Sequence, residues 1–114
     1  MTLEERIKIN DKIKAICPDS NRKVYVTDNW YPSYMDISGK LYVTCYVGVT
    51  YYSDEYSVKI VFFGADDFGL EKEFCTSDFA EAIKKYREFK RYAKKVPKNK
   101  ALQHILYRDG FEMF

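Results

Sequence analysis

Histidine, tryptophan, cysteine, proline and glycine are all scarce in these 114 residues, and each scarcity removes a class of function. The one histidine, His104, has no serine or cysteine near it in sequence, so it offers neither a nucleophile–base pair nor a metal cluster. Cys17, Cys45 and Cys75 are odd in number and far apart, with no Cys-x-x-Cys pair. That spacing argues against a zinc site or a disulfide framework and for three free thiols. Five scattered glycines make no phosphate-cradling loop. Acidic pairs occur at Asp66-Asp67 and Glu71-Glu73, but a hard cation wants about six or more oxygens in defined geometry, and no aspartate ladder supplies them. No metal, cofactor or catalytic residue is therefore expected, and the chain reads as a non-enzyme. No apolar run approaches the ~18 residues of a membrane span. The opening MTLEERIKIN lacks the apolar core of a secretory signal, so the expectation is a cytoplasmic protein without membrane contact.

Aromatic residues and lysine are plentiful. Aromatics make up 18% of the chain, and lysine outnumbers arginine 14 to 5 while alanine occurs only six times, a pattern typical of an AT-rich genome. The length suits one domain, residues 1–114, with no internal repeat, low-complexity tract or linker.

The clearest pattern runs from Leu41 to Phe63. Leu41, Val43, Cys45, Val47, Val49 and Tyr51 alternate with Tyr42, Thr44, Tyr46, Thr50 and Tyr52, and beyond Ser53-Asp54 the alternation resumes as Tyr56, Val58, Ile60 and Phe62. Period two over such a length predicts a β-hairpin with one buried face. A two-residue loop at Ser53-Asp54 would set Val49 against Val58, Val47 against Ile60 and Cys45 against Phe62, apolar to apolar throughout. The even-numbered face, bearing Tyr42, Tyr46 and Tyr52, is too apolar for plain solvent. Either a helix covers it or it is a binding platform.

Helices flank this hairpin. Thr2 and Glu5 form a capping-box pattern, Leu3, Ile7, Ile9, Ile13 and Ile16 lie on one broad helical face, and Pro18 stops the run. Lys23 to Thr27 reads as a short strand, followed by a loop that exposes Trp30 and Tyr31 beside Pro32. Tyr34 to Ile37 reads as another strand, with Ser38-Gly39-Lys40 as a turn that sets Met35 opposite Val43 and Ile37 opposite Leu41. Leu70 to Cys75 reads as a marginal edge strand. Thr76, Ser77 or Asp78 then caps a second helix whose apolar face is Phe79, Ala82, Ile83, Tyr86, Phe89, Ala93 and Val96, ended by Pro97. A shorter helix spans Asn99 to Arg108, with Gly110 as a left-handed stop. The tail Phe111 to Phe114 is apolar enough to need cover. The expected class is α+β: an N-terminal helix, an antiparallel meander of three or four strands, then two C-terminal helices packed on the sheet.

Charge is unevenly distributed. Residues 76–100 hold nine bases against three acids, while residues 53–75 hold six acids against two lysines, so a net charge of +2 hides a bipolar chain. Lys84, Arg87, Lys90, Arg91, Lys94 and Lys95 share a helical face of about 140°. Such a face can be merely solvated, can meet a phosphate backbone, or can dock on an acidic protein surface. The order helix, antiparallel strands, helix, together with Lys90-Arg91-Tyr92-Ala93-Lys94-Lys95, resembles double-stranded-RNA-binding domains. In that family the basic motif opens its helix. Here it stands a dozen residues after the helix start, and RNA binding is not carried over.

Two functions follow as expectations. The first is a small non-enzymatic interaction protein, similar in type to the phage and mobile-element accessory proteins that inhibit a host defence or nucleic-acid-processing complex, as anti-CRISPR proteins do. Its contacts would be Trp30, Tyr31, Tyr42, Tyr46 and Tyr52, supported by Lys84, Arg87, Lys90, Arg91, Lys94 and Lys95, and its partner a protein or a protein–nucleic acid complex. The alternative is direct nucleic-acid binding by the basic helix 84–95.

Overall fold

Alternating apolar side chains build the sheet, and the helices collect on the face those side chains make. The computed structural model describes residues 2–30, 39–50, 53–64 and 69–113, and for residues 25–30 it describes the backbone. In chain order the elements are α1 (Leu3–Ile16), β1 (Val24–Trp30), β2 (Gly39–Val49), β3 (Tyr56–Gly64), β4 (Gly69–Thr76), α2 (Phe79–Lys95), α3 (Leu102–Arg108) and β5 (Glu112–Met113). The strands form one antiparallel sheet in sequence order, β1 to β5. The α+β class and the element order agree with the sequence reading.

Face parity holds in the hairpin, but its register differs from expectation. Val49 faces Tyr56, Val47 faces Val58, Cys45 faces Ile60 and Val43 faces Phe62, a slip of two residues. Thr50 and Glu55 close the loop instead of Tyr52 and Glu55. The Thr50 N–H donates to the Glu55 carbonyl at 2.9 Å, and the Thr50 hydroxyl donates to the Ser53 carbonyl at 2.9 Å. A slip of two keeps every side chain on its face, so Leu41, Val43, Val47, Val58, Ile60 and Phe62 are all buried.

Three strand expectations are corrected. β1 does not stop at Thr27: it runs on to Trp30, which pairs with Gly39 as a strand residue. Register shifts between Tyr25 and Thr27 and between Thr27 and Trp30 let the turn-forming Asp28 and Asn29 lie within it. Gly39 and Lys40 belong to β2 rather than to a turn, and Val43 and Leu41 face Val24 and Thr27, not Met35 and Ile37. The proposed strand 34–37 lies outside the described residues. β4 is eight residues long and interior, with β5 pairing to it at Leu70 and Glu71, so it is no marginal edge.

α2 lies across β2, β3 and β4 on the odd-numbered face of β2. Asp78 is its cap, with Oδ1 accepting from the N–H groups of Ala80 at 2.9 Å and Glu81 at 3.4 Å. Ala82, Ile83, Tyr86, Phe89 and Ala93 bury one stripe at helical spacing. α3 starts at Leu102, three residues later than expected, and Leu102 and Leu106 are buried. Gly110 takes φ +90°, which turns the chain so that the Phe111 N–H returns to the Leu106 carbonyl at 2.9 Å. Phe111 is the buried part of the tail, stacked on Tyr92 at 5.5 Å and edge-on to Phe62 at 5.7 Å, whereas Met113 is exposed.

α1 departs most from expectation. Thr2 caps it, its hydroxyl accepting from the Glu5 N–H at 3.2 Å. Ile13 is buried and Ile9 packs beside it, but Leu3 is 74% exposed and Ile7 51% exposed. At about 100° per residue Leu3 and Ile7 form one stripe and Ile9, Ile13 and Ile16 another, their centres roughly 130° apart, and only one can meet the sheet. The Arg6 guanidinium donates to the Thr50 carbonyl at 2.8 Å, which favours the observed roll of α1.

Candidate functional site

α2 lies on the odd-numbered face of β2, while on the even-numbered face Arg6 and Asn10 of α1 line a hollow of about 560 Å³ with Tyr46, Ser57, Lys59 and Glu73. Tyr42 and Tyr46 are half-buried there. Tyr42 stacks on Phe63 with ring centroids 5.4 Å apart, and the phenolic end of Tyr46 reaches Gly48, where a Cβ would come within 2.0 Å of the phenolic oxygen. A polar row adjoins them. Lys59 pairs with Glu73 at 3.3 Å, and the Ser57 hydroxyl donates to Glu73 at 3.0 Å. Burial opposes the charge on Glu73, but hydrogen bonds from Ser57, Lys59 and Cys75 outweigh it and hold the carboxyl below its ordinary pKa. Thr44, 8% exposed, has a hydroxyl with no partner among the described residues.

The sequence-derived contact residues therefore separate. Tyr42 and Tyr46 lie on the even-numbered face of β2, and the cations of α2 lie on the outer surface of that helix, on the opposite side of the sheet. Trp30 ends β1, while Tyr31 and Tyr52 lie outside the described residues.

On α2, Lys84, Arg87, Arg91, Lys94 and Lys95 are exposed, and none of them forms an ion pair among the described residues. Lys90 differs. Its ammonium forms a short ion pair with Asp19 Oδ2, and the Tyr86 hydroxyl donates to Asp19 Oδ1 at 2.6 Å. The Lys90 bond first, and the Tyr86 bond after it, hold Asp19 below the usual carboxylate pKa. Burial and the Asp19 carboxylate push the Tyr86 phenol well up. Lys90 is thus a strut between α2 and the turn after α1, and five cations remain available.

Two depressions open beside this face. One, about 430 Å³, lies against the N-terminal half of α2 and is lined by Ile16, Phe79, Ala80 and Ile83 with Lys84, Arg87 and Arg91 at its rim. The other, about 450 Å³, lies between the C-terminal half of α2 and β1–β2, lined by Val24, Val43, Cys45 and Ala93 with Arg22, Lys94 and Lys98 around it. A shallow hollow lined only by Arg87, Lys90, Arg91 and Lys94 adjoins them. Sequence reading missed the second depression because its residues come from four separate segments. Asp19, directly after Pro18, carried the only local signal, and it read as a plain turn.

Neither acid–base pairing nor metal ligation stands out. Among the described residues no group of three or more His, Cys, Asp or Glu is placed to hold a metal. Cys17, Cys45 and Cys75 are free thiols, and burial pushes Cys45 up to about 11. His104 is exposed on α3. Asp66 and Asp67 lie outside the described residues. Among those described, no helix is long and apolar enough to cross a membrane. No protein-family model, no curated protein and no solved structure matches this chain.

Proposed function

We propose that this chain is a non-enzymatic cytoplasmic interaction protein that docks through α2 on an acidic protein surface. In type it is a phage or mobile-element accessory protein that binds and inhibits a host defence or nucleic-acid-processing complex. One observation carries the choice of partner: the 430 Å³ depression places the apolar side chains of Ile16, Phe79 and Ile83 directly beside Lys84, Arg87 and Arg91. Protein hot spots combine an apolar anchor with flanking charge, and an acidic segment with one bulky apolar residue meets both halves of this surface. A phosphate backbone has no apolar group to place there. The lysine-rich, alanine-poor composition supports a phage or mobile-element origin.

Nucleic-acid binding is the second reading, favoured by five cations along one helix that form no ion pair among the described residues. Fluorescence anisotropy with generic DNA and RNA duplexes separates the two. The docking account expects no saturable binding at about 50 mM salt, whereas a duplex-binding protein with six or more phosphate contacts would bind there and lose about 10³-fold in affinity by about 200 mM.

A further inference from the structure

The second depression exists because the helix layer stops short of the sheet edge. α2 lies against β2, β3 and β4 and α1 against β2, and among the described residues no helix covers Val24 at the start of β1. Val24, which pairs with Val43 on that side, is 52% exposed at the lip. Below it lie Val43, Cys45 and Ala93. The high pKa of the Cys45 thiol keeps it neutral, so the floor is uncharged. Among the described residues that line it, the one aromatic, Tyr86, is 2% exposed and offers no open face for stacking.

The rim is cationic and out of balance. Arg22, Lys90, Lys94 and Lys98 line the depression against the single carboxylate of Asp19. Both Asp19 oxygens are taken, one by Lys90 and one by Tyr86, so Asp19 neutralises only Lys90. Arg22, Lys94 and Lys98 have no ion pair among the described residues. The Lys98 ammonium donates to the Lys94 carbonyl at 2.9 Å, and burial without a counter-charge depresses its pKa.

We propose that this cleft binds one free aliphatic anion, its chain on Val24, Val43, Cys45 and Ala93 and its carboxylate or phosphate head between Arg22, Lys94 and Lys98. The cleft volume of about 450 Å³ falls within the range of about 300–1,000 Å³ that small-ligand sites occupy. A described floor of aliphatic and thiol groups favours an aliphatic body over a nucleobase, and three cations without an ion pair among the described residues favour an anionic head. The site shares Lys94 with the cationic face of α2, while Arg22, Val24 and Lys98 belong to it alone.

Dodecanoate, kept below its micelle threshold, is the direct probe, read by amide shifts in NMR and by calorimetry. Saturable one-to-one binding with a Kd of about 1 mM or tighter is expected, with the largest shifts at Val43, Cys45, Ala93 and Lys98. Val24→Trp, made at an exposed position, fills the cleft and should abolish binding without lowering the melting temperature. Arg22→Gln with Lys98→Gln should weaken dodecanoate about tenfold, the loss expected of a missing charge-assisted contact, and leave dodecyl maltoside unaffected. Dodecanoate that fails to saturate, that binds Val24→Trp as well as the parent, or that binds no better than dodecyl maltoside would overturn the proposal. Circular dichroism of each variant excludes misfolding as the cause.

Discussion

Thr44 is the residue whose chemistry is least satisfied. Its hydroxyl is buried on the even-numbered face of β2, with no partner among the described residues. Replacing a buried orphan hydroxyl by a methyl of the same shape removes a desolvation cost, so Thr44→Val should raise stability by about 1 kcal/mol in urea denaturation. A loss of similar size would reveal a hydrogen bond at that atom. Asp19 makes the opposite kind of statement. Its carboxyl is held below the ordinary carboxylate range, so the Lys90–Asp19–Tyr86 contact adds stability above the unfolded pKa, and that stability is lost as pH falls through the lower folded pKa. Asp19→Asn should therefore be less stable than the parent at pH 7, and the two stability curves should converge as the pH drops below about 4. Curves that stay parallel to pH 2 would show that the ionised carboxylate plays no part.

At the scale of elements, α2 depends on its cap. Asp78→Ala removes the acceptor for the Ala80 and Glu81 N–H groups and should cost about 1 kcal/mol, read as a shift in denaturation midpoint at unchanged slope. How far each element was legible follows from the same local chemistry. The faces of β2 and β3 could be read because period two is strict and one face must be apolar. Their register could not, since a slip of two residues also matches apolar with apolar, and the Thr50 and Ser53 bonds that select the longer loop are tertiary details. β1 looked shorter than it is because Asp28 and Asn29 favour turns, yet bulged pairing accepts them. α1 carried five apolar residues, and nothing in their spacing says which of two stripes the sheet will cover.

For the whole molecule, the bipolar charge read from the chain becomes a cationic helix surface on one side of the sheet and a row containing Lys59, Glu71 and Glu73 on the other. The cations of α2 were legible from spacing alone. The depressions beside them were not, because one arises between α1 and α2 and the other where the turn after α1, β1, β2 and α2 meet, so separate segments contribute the walls. The aromatic and cationic halves of the expected contact surface, adjacent in no sequence sense, lie on opposite faces in their described members. A partner gripping α2 therefore does not also touch Tyr42 and Tyr46 unless it wraps around the sheet.

The docking claim is tested most directly by photo-cross-linking from position 84, at the rim of the apolar depression, in host extract. The parent background should yield cross-links to a protein segment rich in Asp and Glu that contains a bulky apolar residue. Arg87→Glu with Arg91→Glu, both exposed, should abolish those cross-links while leaving the melting temperature unchanged. Cross-links to nucleic acid, or protein cross-links that survive the charge reversal, would contradict the account.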